Sequence, residues 1–301
     1  MKKKRLSVLL LLLCVNIVVF AQKKTVLEGF AKYKNASQIT LFAIENGKVK
    51  ECVTTSVKQD NSYQMTFVPE KPGFYVIGNK QKNHPIYIKG GEKIHLDLFR
   101  NEVVLKGKNT RENRALYQWE KYVKDLRVMS GKRVAHEDFF PYLTKFVAKI
   151  DSVKKAIKSG NPVFDELFYK KIDYDVDYYA MMFLMTPRTA HPQRSDWPAF
   201  YDTIISDKKF TSDEVLQFPT GLSMINAYIN FSMKIEAPRA GFEILNNERL
   251  RGEAVLSKLQ YARVRADFDN YMETDEKYLA TDDQKARAKM IGDKLGTSWK
   301  G

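Results

Sequence analysis

Four histidines, a lone cysteine in the body of the chain and a run of alternate aspartates are the side chains from which a reaction centre would be built. His84, His95, His136 and His191 are scattered along the chain. None falls in a His-x-x-x-His pair or beside a glutamate at the spacing that sets two zinc ligands on one helical face. In "DYDVDYY", Asp173, Asp175 and Asp177 have the spacing of the first ligands of a calcium loop. That loop needs glycine at its sixth position and a carboxylate at its twelfth, where Tyr178 and Leu184 stand. On a helix, Asp173 and Asp177 share a face and Asp175 points elsewhere, so a solvated polar face is expected. "GLSMI" matches half of a nucleophile elbow, but Ile225 takes the place of the second glycine and no strand precedes it. Gly90-Gly91 reads as a tight turn between strands, with no helix behind it to hold a phosphate. In "KECVTTSV", Cys52 alternates with Thr54 and Ser56 while Val53 and Val57 face the other way. No basic neighbour lowers its pKa, and an unreactive thiol in the β-domain is expected. The sequence therefore assigns no catalytic, cofactor-binding or metal-binding residue, and no cofactor.

The elements that would carry such groups fall into two halves with different periods. From Lys24 to Lys108 short apolar runs alternate with polar residues. "SYQMTFV" sends Tyr63, Met65 and Phe67 to one face, and "KIHLDLF" sets Ile94, Leu96 and Leu98 against His95 and Asp97. With "KTVLEGFAKY", "QITLFAIE", "KVKECVTTSV", "GFYVIG", "PIYI" and "EVVL" these make about eight strands. Turn signals at Asn46-Gly47, Asp60-Asn61, Pro72-Gly73 and Gly90-Gly91 separate them, predicting an antiparallel β-sandwich.

After Gly107 the period is helical. One helix, capped by Thr110 or Asn109, buries Leu116, Trp119, Val123 and Leu126. A second runs from Phe139 through Leu143, Phe146, Val147, Ile150 and Val153 to Ile157. A third starts at the Asn161 cap with Pro162 in its first turn and ends before Pro187. Further helices are expected near Trp197–Ile205, Leu222–Met233, Glu248–Met272 and Thr281–Leu295, with capping boxes at Thr211-x-x-Glu214 and Thr281-x-x-Gln284. The fold class is α+β as two segregated domains: a β-sandwich over 22–108 and an all-α domain over 109–301. The short junction "LKGKNTRENR" predicts close packing of the two, with Trp119 and Tyr122 against the sandwich.

The chain opens "MKKKRLSVLLLLLCVNIVVFAQKK". A basic start, an apolar run of about 15 residues and Val19-Phe20-Ala21 predict a signal peptide over 1–21, cleaved before Gln22. The run is shorter than the roughly 20 residues that span a bilayer. An uncleaved anchor and a lipoprotein joined through Cys14 are the competing readings. No later segment is apolar enough to span a membrane, so an exported protein of the periplasm or cell envelope is expected. Without residues 1–21 the chain holds 46 Lys and Arg against 36 Asp and Glu. They are spread along the sequence, and with export this argues against a nucleic-acid partner. A solvated basic exterior is expected, with attraction to anionic envelope surfaces or acidic partners as the alternative. Cys52 alone remains after cleavage, which rules out an intramolecular disulfide and a Cys-x-x-Cys.

The order "NSYQMTF", "PGFYVI", "PIYIKGGEKIHLDL" and "VVLKGKNTRENRALYQWEKYV", followed by a long helical segment, resembles the N-terminal portion of exported thiol–disulfide interchange proteins of the TlpA-like group. The resemblance is strongest over residues 24–125. It implies that a β-domain and a helical region precede a thioredoxin-fold domain carrying the Cys-x-x-Cys. Here "LGTSWKG" would lie in the linker before that domain, with Trp299 packing on the module beyond Gly301. No catalytic residue of the family transfers to this chain. The expected role is a non-catalytic platform that positions a thioredoxin-fold domain or envelope partner. A self-sufficient binding protein, with a groove between sandwich and helices, is the alternative.

Overall fold

The computed structural model describes residues 23–231 apart from 34–35, 80–82, 101, 188–189, 207–209, 211–212, 226 and 229. The signal peptide, Cys14, Thr211, the helices expected over 248–272 and 281–295, Trp299 and Gly301 lie outside the described residues. Eight strands form where alternation places them: β1 (Thr25–Lys32), β2 (Gln38–Glu45), β3 (Lys48–Ser56), β4 (Ser62–Phe67), β5 (Gly73–Gly78), β6 (Asn83–Ile88), β7 (Lys93–Phe99) and β8 (Val103–Lys106). They pair into two four-stranded sheets, β4-β1-β7-β8 and β3-β2-β5-β6. Leu27, Tyr63, Ile94 and Leu96 from the first sheet share one buried cluster with Leu41, Tyr75, Ile77 and Ile86 from the second.

One pairing departs from the antiparallel expectation. β1 and β7 run parallel, with Leu27 opposite Ile94 and Glu28 opposite His95. Alternation reports which face of a strand is buried and carries no information about the direction of its neighbour. The β1–β7 ladder is interrupted after Glu28–His95 and resumes at Ala31–Leu98. Side chains fill the gap: the Tyr63 hydroxyl donates to the Leu96 carbonyl at 2.8 Å, and the Phe30 N–H donates to Asp97 Oδ1 at 3.2 Å. Gly29 lies in that gap, against the main chain of Leu96. A Cβ there would sit 1.9 Å from the Leu96 carbonyl oxygen.

The helices are α1 (Arg111–Tyr122), α2 (Lys124–Gly131), α3 (His136–Val147), α4 (Ile150–Ala156), α5 (Pro162–Met185) and α6 (Phe200–Ser206). Short 3-10 turns cover Arg194–Asp196 and Asp213–Gln217, and a further helical stretch begins at 221. Thr110 caps α1 by accepting the Asn113 N–H at 3.2 Å, and Asn161 caps α5 by accepting that of Phe164 at 3.4 Å. The helix expected from Phe139 to Ile157 is two. Lys149 N–H donates to the Phe146 carbonyl at 3.1 Å, an i→i+3 turn that breaks the α-helical ladder between α3 and α4. No helix among the described residues is long and apolar enough to cross a membrane.

Strands precede helices in sequence, yet one core spans both. Phe74 and Tyr87, on the face of β5 and β6 turned from the inter-sheet cluster, join the helical core. The Tyr87 ring lies 4.7 Å from Phe164, and Phe74 lies 5.8 Å from Phe218. The β2–β3 turn, with Asn46 and Gly47 at φ 51° and 75°, is held by the helical half. Gly47 N–H donates to the Leu216 carbonyl at 2.9 Å, and Leu222 N–H donates to the Gly47 carbonyl at 3.3 Å. Trp119, expected against the sheets, is instead wholly buried among helices, 6.2 Å from the Phe146 ring. The earlier turns of α1 face the sheet: Asn113 and Tyr117, four residues apart, reach the main chain of Tyr87 and Pro85.

Candidate functional site

The densest group of buried charge joins α1, α2 and α5. Lys171 and Asp175 stand one turn apart on α5, with side chains 6% and 4% exposed. Lys171 Nζ donates to Asp175 Oδ2 at 2.6 Å and to Glu120 Oε1 at 3.3 Å. Trp119 Nε1 donates to the same Asp175 oxygen at 2.7 Å. Arg127, on α2, donates to Glu120 Oε2 at 2.8 Å and to its carbonyl at 3.2 Å. Burial pushes the Asp175 carboxyl above the usual carboxylate range, because Lys171 offsets only part of the cost and the Glu120 charge adds to it. Burial also acts to raise Glu120, but Lys171 and Arg127 outweigh that and hold it below its ordinary value. The direction of the Asp175 shift is the one a general acid needs. The partners of Asp175, however, are structural groups: Lys171 on its own helix and Trp119 on α1.

The aspartates of "DYDVDYY" are therefore not a solvated face. Asp175 and Asp177 are 3% and 2% exposed, and only Asp173 is half-buried. The cause is the position of α5, a 24-residue helix covered on nearly every side, which needs no single apolar stripe. On the side of α5 away from Asp175 lies a cleft of about 250 Å³. Val147, Ile150, Val176 and Phe200 make its apolar walls; Asp151, Asp173, Asp177 and Thr203 supply the polar groups. Lys154 Nζ donates to Asp173 Oδ1 at 2.6 Å, so one of the three carboxylates already has a cation. The cleft thus combines apolar walls with acidic groups. At this volume it falls short of the ~300–1,000 Å³ of ordinary ligand pockets.

A third group lies on the outer face of the β4-β1-β7-β8 sheet. His95 Nδ1 is 3.6 Å from Glu28 Oε1, and its Nε2 is 3.6 Å from Asp97 Oδ1. Those distances give electrostatic contact rather than hydrogen bonds. Lys93 Nζ, 2.9 Å from Glu28, holds that carboxylate below its usual range by a direct hydrogen bond. Lys32 Nζ donates to Asp97 Oδ2 at 3.0 Å and lies 5.5 Å and 5.4 Å from the ring centres of Phe30 and Phe99. The sequence shows His95 and Asp97 on one strand face. Glu28, 67 residues upstream, is brought in only by the parallel pairing.

The other candidates stay apart. His136 opens α3 beside Glu137, His84 lies on β6 and His191 on the loop after α5. Among the described residues no three His, Cys, Asp or Glu side chains are grouped to hold a metal ion. Gly90-Gly91 forms the β6–β7 turn, where Glu92 accepts the Lys89 N–H and the Thr25 hydroxyl. Residues 221–225 begin a helical stretch after a turn. Cys52 is exposed on the edge strand β3 and not inside the sheets, because it is the extra residue of the β2–β3 bulge between Leu41 and Phe42. Partial burial of the sulfur pushes its thiol up, although the residue as a whole is exposed. Comparison of the chain with protein-family models, curated proteins and solved structures finds no match.

Proposed function

We propose that the chain is a non-catalytic platform of the cell envelope, exported and cleaved after Ala21, that positions a thioredoxin-fold domain or partner. In this reading the two sheets are a β-sandwich domain and the helices a second domain fixed upon it. The resemblance of residues 24–125 to the TlpA-like group motivates the role. The observation that carries it is the double lock between the halves. Asn113 and Tyr117 hold the β6 edge, and residues 216–222 hold the Gly47 turn. A platform that orients a partner needs such fixed geometry, since a hinge would spread the partner over many positions.

A ligand groove between sheets and helices is disfavoured, because Phe74, Tyr87, Phe164 and Phe218 fill that junction. The test is to fuse a Cys-x-x-Cys thioredoxin-fold module in frame after Gly301 and measure NMR relaxation. One shared tumbling time is expected for module and platform. A module that tumbles on its own, or disulfide exchange by the unfused chain, would remove the reading.

A further inference from the structure

Basic side chains are spread along the sequence as a whole but not through the helical half. Residues 106–158 carry 14 Lys and Arg against 6 Asp and Glu, whereas residues 159–231 carry 6 against 10. Folding gathers part of that excess at one place. The end of α1 meets the end of α3 through Tyr122 and Phe146, whose ring centres are 4.8 Å apart, and Tyr142 lies 6.0 Å from Phe146. Tyr122 and Tyr142 are half-buried. Lys121 and Lys124 flank Tyr122 in the chain; Lys145 adjoins Phe146, and Lys149 follows it by one turn. All four lysines are exposed, and none forms an ion pair among the described residues. The acids near them are Glu120, engaged by Arg127 and Lys171, Asp125, which faces Tyr142, and the exposed Asp151, two residues past Lys149 at the cleft.

We infer that this lysine–tyrosine patch is a docking surface for an anionic phospholipid membrane. Compensation of the helix dipole accounts for a lysine at the end of α1 and another at the end of α3. It does not account for four exposed lysines close in the chain to an aromatic cluster whose two tyrosines are half-buried. The composition separates lipid from protein as the occupant. Protein interfaces enrich arginine and deplete lysine, whereas the exposed cations without an ion pair here are lysines, the one arginine beside them, Arg127, being engaged by Glu120. Flexible ammonium groups act as point charges and suit a fluid layer of headgroups. Tyrosine is the kind of side chain that settles at a headgroup boundary, with its ring in the apolar zone and its hydroxyl in water. The opposite charge balance of residues 159–231 sets the two parts of the helical sequence apart in charge, which favours attraction of the basic part to such a surface.

The test is co-sedimentation of the full chain with phosphatidylglycerol vesicles and with phosphatidylcholine vesicles. Binding to the anionic vesicles alone is expected, weakening as salt rises. A variant combining Lys121→Gln, Lys124→Gln, Lys145→Gln and Lys149→Gln should bind more than tenfold more weakly, since each surface lysine contributes about fivefold in affinity. A control combining Lys58→Gln, Lys71→Gln, Lys106→Gln and Lys108→Gln loses the same charge from other exposed positions and should bind nearly as the parent does. Both variants keep the same N-terminus, so any contribution of residues 1–21 cancels. Equal losses in the two variants would overturn the inference in favour of diffuse charge. Patch-dependent binding to polyglutamate or DNA, with vesicle binding unchanged, would overturn it in favour of another polyanion.

Discussion

Asn113 on α1 holds Tyr87 on β6 through both halves of its side-chain amide. The Tyr87 N–H donates to Asn113 Oδ1 at 2.9 Å, and Asn113 Nδ2 donates to the Tyr87 carbonyl at 2.8 Å. An edge strand presents unpaired main-chain groups at every second residue, and here one side chain supplies the partners another strand would offer. Tyr117, one helical turn on, does the same for the Pro85 carbonyl at 2.8 Å. The rise of one helical turn, about 5.4 Å, is close to that of two strand residues, so the pairs stay in step.

Asn113→Ala should therefore destabilise the protein by about 2–4 kcal/mol, because it leaves a buried N–H and a buried carbonyl unmet. Tyr117→Phe, which abandons one acceptor, should cost about 1 kcal/mol. Urea unfolding of both variants measures the difference. A loss below about 0.5 kcal/mol for Asn113→Ala would mean that water closes this edge as well as the amide does.

The buried carboxylates Glu120 and Asp175 should tilt the pH dependence of stability in opposite directions. Glu120 is held low in the folded state, so its stabilising contribution is complete above its unfolded pKa and is lost as pH falls through the lower folded value. Asp175 is raised, so the folded state takes up its proton first and this group favours folding as pH falls through its folded value. Glu120→Gln should cost most near neutral pH, and that cost should shrink on acidification. Asp175→Asn keeps an acceptor for Trp119 and should compare best with the parent near neutral pH, losing ground as the parent's Asp175 protonates. Thermal unfolding from pH 7 to pH 3 separates the two, and parallel profiles would contradict the assignment.

Lys171→Met isolates the charge pair itself. It leaves Glu120 with Arg127 but strips Asp175 of its cation, so a loss of about 3–5 kcal/mol at neutral pH is expected. Combining it with Asp175→Asn should recover much of that loss. No recovery in the double variant would show that the lysine acts through packing of its methylenes.

Gly29→Ala should be among the most damaging small substitutions, because the new methyl would sit 1.9 Å from the Leu96 carbonyl oxygen in a paired strand. A loss of about 3 kcal/mol or more is expected. Gly73→Ala is the matched control, since nothing lies within 4 Å of a Cβ there and β5 begins at that residue. Calorimetry should find the control within about 0.5 kcal/mol of the parent.

Cys52 is exposed yet has a raised thiol pKa, so alkylation should be slow at pH 7 and still rising above pH 9. A rate already at its plateau at pH 7 would reveal a thiolate and a role for this residue.

Local chemistry alone determined the eight strands, the Asn46-Gly47 turn and the start of α5 at Asn161-Pro162, because each depends on residues within a few positions of one another. The periods of two and 3.6 likewise picked out Tyr63, Ile94 and Leu96, or Leu116 and Phe139, as interior positions. Tertiary structure alone decided the parallel placement of β1 beside β7, and with it the meeting of Glu28 and His95. It also decided that Asp175 and Asp177 are buried, that Trp119 packs among helices, and that the lysine-bearing ends of α1 and α3 meet through Tyr122 and Phe146. A period records that one face of an element is covered. The direction of a neighbouring strand, and what covers the second face of a central helix, are set by which distant segments pack there, and no spacing within the segment encodes that choice.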